Sequence, residues 1–129
     1  MKQVAELRRL GDLYEDRGDY ESAELLFRKA LSVQEQELGE EHPLLAPDLY
    51  NLGLLCYALE KFNDAETFLM RAWAIERTSF GPMHPETLAT LEALSELYYD
   101  ANRNVHVEYP GIIPAHGKSL HHSAVHMYH

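Results

Sequence analysis

Apolar residues return every three or four positions through the first hundred residues, with charged residues between them, which is the spacing of one face of an α-helix. From Val4 to Arg17 the stripe is Leu7, Leu10, Leu13 and Tyr14. Gly18-Asp19 interrupts it, and the same period resumes from Tyr20 to Glu37 through Ala23, Leu26, Phe27, Ala30, Leu31 and Val33. So short a break leaves room only for an antiparallel hairpin. Gly39 is placed to stop the second helix, and His42-Pro43 holds the chain out of helix until Pro43 opens the next first turn. Leu49, Leu52, Leu55 and Cys56 then make a third stripe, with Pro47 tolerated in its opening turn. The return helix, Lys61 to Arg77, carries Phe62, Ala65, Leu69, Ala72, Trp73 and Ile75, and Gly81 stops it. A fifth helix follows Pro85 with Leu88, Leu91, Leu94, Leu97 and Tyr98, and ends near Ala101 without a returning partner. After Asn102 the period is lost, and residues 102–129 read as an irregular, poorly structured His-rich tail. The pattern therefore divides the chain into a helical domain, 1–101, and that tail.

The stripes are copies of one another. Gly39-Glu40-Glu41-His42-Pro43 recurs 42 residues later as Gly81-Pro82-Met83-His84-Pro85. The same step pairs Leu7 with Leu49, Leu10 with Leu52, Gly11 with Gly53, Ala23 with Ala65 and Ala30 with Ala72. A period of this length marks a stacked-repeat architecture. The small residues stand where paired helices approach closely, and larger side chains would hold them apart.

Composition changes this picture in two places. The 129 residues carry 11 basic and 21 acidic side chains, a net charge of −10, and the acidic excess lies in the first hundred. Such a field opposes docking on phosphate backbones or anionic lipid, so neither nucleic acid nor membrane is expected as a partner. The lone Cys56 lies in an apolar run and reads as a small buried thiol. With no apolar run of about 20 residues and no apolar leader after Met1, the expected location is cytoplasmic.

Leu7, Leu10, Gly11, Tyr14, Tyr20, Ala23, Phe27 and Ala30, with their copies, resemble the tetratricopeptide repeat. The 42-residue period and the Gly-x-x-His-Pro connector resemble the longer variant of kinesin light chains and nephrocystin-like proteins. The resemblance covers residues 4–101. It implies an all-α fold, a right-handed α-α superhelix of helical hairpins with two full repeats plus one capping helix, whose first helices line a concave groove. It also implies a scaffold or adaptor function in which that groove holds a partner protein or peptide. On that reading the groove-facing residues are Arg8, Asp12 and Glu15 on the first helix, Tyr50, Asn51, Leu54 and Tyr57 on the third, and Glu92, Glu96 and Tyr99 on the fifth. One use of the fold is a clamp for a terminal carboxylate, but the clamp positions hold Arg8, Asp12, Asn51, Ala89 and Ala93, and only Asn51 matches. An acidic, aromatic wall suits instead a peptide that carries Arg or Lys beside an apolar anchor.

The remaining chemistry is thin. His42 and His84 each precede a proline at a turn, where an imidazole packs or caps. The tail histidines, His106, His116, His121, His122, His126 and His129, form no set with metal-site spacing, and no metal or other cofactor is expected. Gly117-Lys118-Ser119 ends like a phosphate-binding loop, but Gly111 lies one residue too far upstream. No nucleophile–base pair is in view, and the expectation is a protein that is not an enzyme. The unfinished end suggests a second role: a face of Leu91, Leu94 and Tyr98 left uncovered would favour self-association as a homodimer.

Overall fold

The structure is a computed structural model and describes residues 2–101. Five α-helices follow one another: α1 Lys2–Asp16, α2 Tyr20–Leu38, α3 Ala46–Ala58, α4 Phe62–Phe80 and α5 Pro85–Ala101. A single 3-10 turn, Pro43–Leu45, leads into α3, and no strand occurs among the described residues. The tail expected over 102–129 lies outside the described residues, as do its histidines and Gly117-Lys118-Ser119.

The helices pack as the repeat requires. α1 pairs with α2 and α3 with α4, the two hairpins meet through α2 and α3, and α5 lies on α4. Within each hairpin one glycine sets the approach. A Cβ at Gly11 would stand 2.8 Å from the Phe27 ring, and one at Gly53 would stand 2.6 Å from the Leu69 side chain. Ala23, Ala30, Ala65 and Ala72 are buried on the partner helices. α2 and α4 both end at a glycine with positive φ, 90° at Gly39 and 98° at Gly81, whose N–H bonds back to the carbonyl four residues earlier. After each stop a histidine caps: Nδ1 of His42 accepts from the Leu44 N–H and Nδ1 of His84 from the Glu86 N–H, both at 3.1 Å. The capping role read from the two His-Pro steps is the one observed.

Burial is uneven along the array. Only Val4 and Gly11 are buried on α1, whereas α3 has nine buried residues among its 13. That corrects the expected groove wall. Tyr50, Leu54 and Tyr57 do not look outward but are all at most 3% exposed. The reason is composition: Leu49-Tyr50-Asn51-Leu52-Gly53-Leu54-Leu55-Cys56-Tyr57 is apolar around nearly its whole circumference, and such a helix is buried on every side. Each large side chain so withdrawn contributes about 1.5–3 kcal/mol. Glu96, expected on the same wall, is buried too.

The expected self-association face needs the same correction. Leu94 is 1% exposed and belongs to the core, Leu91 and Tyr98 are half-buried, and the Tyr98 hydroxyl donates to the Glu66 carboxylate of α4. α5 turns this face to α4, so it is not left open. Its exposed apolar residues are Leu88 and Tyr99.

Candidate functional site

The inner positions of α1, α3 and α5 fall into two groups. Asp12 and Glu92 are exposed, Tyr99 is 38% exposed, and Arg8, Glu15 and Asn51 are half-buried. Tyr50, Leu54, Tyr57 and Glu96 are buried behind them. The structure brings α3 and α5 together here: the Tyr57 hydroxyl donates to Asp100, and the Tyr57 ring lies 6.1 Å from that of Phe62. The accessible wall is therefore acidic, with one exposed aromatic ring, and narrower than the sequence suggests.

Arg8 is not a free groove residue. Its Nη2 donates to Gln34 Oε1 of α2 at 2.9 Å and to Asp48 Oδ2 of α3, tying the first hairpin to the second. Burial pushes the Asp48 carboxyl up, and the guanidinium beside it offsets part of that. The 42-residue step carries this trio onto Tyr50, Glu76 and Thr90, at the junction of the second hairpin with α5. There the cation is replaced by a phenol and the neutral amide by an acid. Glu76 is 0% exposed, and neither carboxyl oxygen has a hydrogen-bond partner among the described residues. Thr90, beside it, gives its hydroxyl proton to the Glu86 carbonyl at 3.1 Å. Burial pushes the Glu76 carboxyl up to about 7, with the Glu86 charge adding and the Thr90 hydroxyl working the other way. Burial also raises the Tyr50 phenol, and the charges of Glu76 and Glu92 raise it further.

A second buried acid is fully served. Glu24 accepts from Lys61 Nζ at 2.7 Å and from Arg28 Nε at 2.8 Å. Burial alone would raise its carboxyl, but the bonds from Lys61 and Arg28 outweigh it and hold the group below its ordinary range. Beside it Cys56 is buried and its thiol is pushed up to about 11, which leaves little thiolate for reaction near neutrality. A cleft of about 460 Å³ runs between the α2–α3 connector and α4, but its cations are engaged. Arg71 bonds Glu35 and the Glu40 carbonyl, and Arg77 stacks 4.5 Å over the Trp73 ring. Among the described residues no group of histidines, cysteines and carboxylates could hold a metal ion, and no helix is long and apolar enough to cross a membrane.

Sequence reasoning missed all three buried acids, Glu24, Glu76 and Glu96. For Glu76 a signal was available: the repeat step aligns it with Gln34, an uncharged residue flanked by the apolar stripe of α2.

Comparison with known proteins agrees with this architecture. The human clustered mitochondria protein homolog is 35% identical over 80 residues, 62% of this chain and 6% of that protein, so the chain spans a small fraction of that relative's length. The family model described as tetratricopeptide repeat matches residues 3–77, more than half of the chain, and with two stacked hairpins closed by glycine at Gly11 and Gly53 the chain belongs to the tetratricopeptide-repeat family.

Proposed function

We propose that this protein is an interaction module whose inner wall holds a peptide carrying arginine or lysine beside an apolar anchor. Tetratricopeptide repeats mediate protein–protein interaction. The observation that carries the choice of ligand is the accessible wall itself: Asp12, Glu15 and Glu92 with the Tyr99 ring, while the basic residue of that wall, Arg8, is tied to Gln34 and Asp48. Carboxylates at the rim steer a cation, and an exposed phenol ring offers it a face to rest on. The net charge of −10 works in the same direction and against polyanions.

The test is selection from a random peptide library displayed on phage, with the full chain as bait. The reading expects enrichment of Arg or Lys next to Leu, Phe or Trp, lost for the Glu92→Lys, Tyr99→Ala double variant. Enrichment of acidic peptides, or equal capture by the double variant, would overturn it.

A further inference from the structure

We infer that the first occupant of the inner wall is the chain's own segment 102–129, brought back from the end of α5 and laid over α5 and α3. The inference rests on the peptide-binding reading above for what the wall accepts, and names a segment that a partner must displace.

The argument begins with one repeat position seen three times. Asp12 on α1, Leu54 on α3 and Glu96 on α5 are related by the 42-residue step. Asp12 is exposed, whereas Leu54 is 2% and Glu96 1% exposed. The apolar circumference of α3 accounts for Leu54. It does not account for Glu96, an acid on the helix that closes the described array. Nor is Glu96 alone, since Ala93, Leu94, Ser95, Glu96 and Leu97 are all buried. Five consecutive residues exceed one helical turn, so α5 is covered on every side at this level. Its packing among the described residues is on α4 and, more lightly, on α3. A helix resting on such neighbours at the end of an array keeps one side for water, and at these positions α5 has none.

The segment that begins directly after α5 has the reach to supply the cover. Extended, residues 102–129 span up to about 90 Å, several times the width of a helix. Burial also fades with distance from that starting point. Leu54 and Tyr57 of α3 are at most 3% exposed, but Arg8 and Glu15 of α1 are half-buried and Asp12 is open. Glu92 and Tyr99 remain accessible at the border of the covered strip.

Charge and side-chain pattern fit the same occupant. Of the charged residues only Arg103, Lys118 and Glu108 lie beyond residue 101, so a net basic segment follows a strongly acidic helical array. Its apolar residues are Val105, Val107, Tyr109, Ile112 and Ile113. The alternation in Val105-His106-Val107-Glu108-Tyr109 is the one by which an extended segment lays an apolar edge on a wall. Tethering adds to this, because a covalently linked ligand acts at an effective concentration in the millimolar range.

The experiment uses the full chain with a nitroxide attached at Ala115→Cys, the buried Cys56 staying unlabelled. Amide signals of Leu54, Tyr57 and Glu96 should lose more than half their intensity, and those of the exposed Leu25 and Thr67 on α2 and α4 should keep theirs. Adding Ile112→Asp and Ile113→Asp should restore the wall signals with the helical circular dichroism unchanged. The same double substitution should raise affinity for a library-selected basic peptide about tenfold, as the competing segment leaves. Wall signals untouched by the nitroxide, or lost equally with those of α2 and α4, would overturn the inference while peptide capture still stood on its own test. Loss seen only on chains mixed with a labelled second copy would overturn it in favour of exchange between molecules. Wall loss together with selection of acidic peptides would support the segment's place and sink the basic-peptide reading.

Discussion

The two hairpin junctions occupy equivalent places in the repeat and differ in how they treat charge. At the first, Arg8 donates to both Gln34 and Asp48, with only its buried Nε left over, and Glu24 is served by Lys61 and Arg28. At the second, Tyr50, Glu76 and Thr90 stand in the same positions with a buried acid and no cation. The difference shows that the repeat specifies positions and helix approach, while what is written at those positions decides how a buried polar group is met. A satisfied junction is structural cement. An unsatisfied one costs stability.

The largest effect expected from breaking this contrast is at Glu76. Its folded-state value, about 7, lies above the usual carboxylate value of 4.5. The fold therefore holds a proton that the unfolded chain has released, and stability falls as pH rises from about 4.5 to about 7 and levels off above. The full loss corresponds to about 3 kcal/mol. Glu76→Gln should recover most of it at pH 8 and nothing at pH 4, as seen in the difference between parent and variant urea unfolding. A variant equal to the parent at both pH values would deny the buried acid any role.

Next come the close-approach glycines. Gly53→Ala drives a methyl into Leu69, which is fully buried, whereas Gly11→Ala meets the Phe27 ring, which is half-buried and has room to swing. Alanine returns about 1 kcal/mol of helix propensity at both sites. The expectation is a net loss of about 2 kcal/mol at Gly53 and near balance at Gly11, measured by chemical denaturation. The opposite order would mean that the second hairpin is the looser one.

Arg8→Ala should then bring the first junction closer to the second. Leaving Gln34 and Asp48 without their donor costs about 1–2 kcal/mol, and the loss should appear in hydrogen exchange as weaker protection of α1 and α2 ahead of α4. Uniform loss across all helices would argue that the hairpins do not open separately.

The smallest effect belongs to the hairpin turns. Gly18 has φ 82°, and its counterpart Glu60 takes φ 60°, a region that side chains disfavour. Glu60→Gly should raise stability by about 0.5–1 kcal/mol, small enough to need a direct thermal comparison. A destabilised variant would show that the Glu60 side chain contributes something the turn geometry does not reveal.

These contrasts also show what could be read in the sequence. Helix number, order and approximate ends were legible because leucine period, positive-φ glycine and His-Pro are local signals that repeat. Gly11 and Gly53 announced the close approach because glycine inside a helix costs stability unless it lets a neighbour come near. The candidate wall was legible only in part. A repeat position identifies which side of α3 bears Tyr50, Leu54 and Tyr57, but not whether that side meets water, and the apolar circumference of α3 was the better guide. The face of Leu91, Leu94 and Tyr98 was misread for a related reason: no returning helix follows α5 among the described residues, yet α5 spends this face on α4. Buried acids were the hardest to see. Glu76 and the exposed Glu92 are the same letter, and only comparison with Gln34, one repeat before Glu76, and Arg8, two repeats before Glu92, separates them.

The central claim is that the second junction keeps a carboxyl out of water without a cation, where the first keeps an amide beside Arg8. The most direct measurement is the titration of the Glu76 side-chain carboxyl by carbon-13 chemical shift in the folded chain, repeated with Tyr50→Arg. The account predicts a midpoint of about 7 in the parent, falling below 4.5 in the variant. A parent midpoint at or below 4.5 would contradict it.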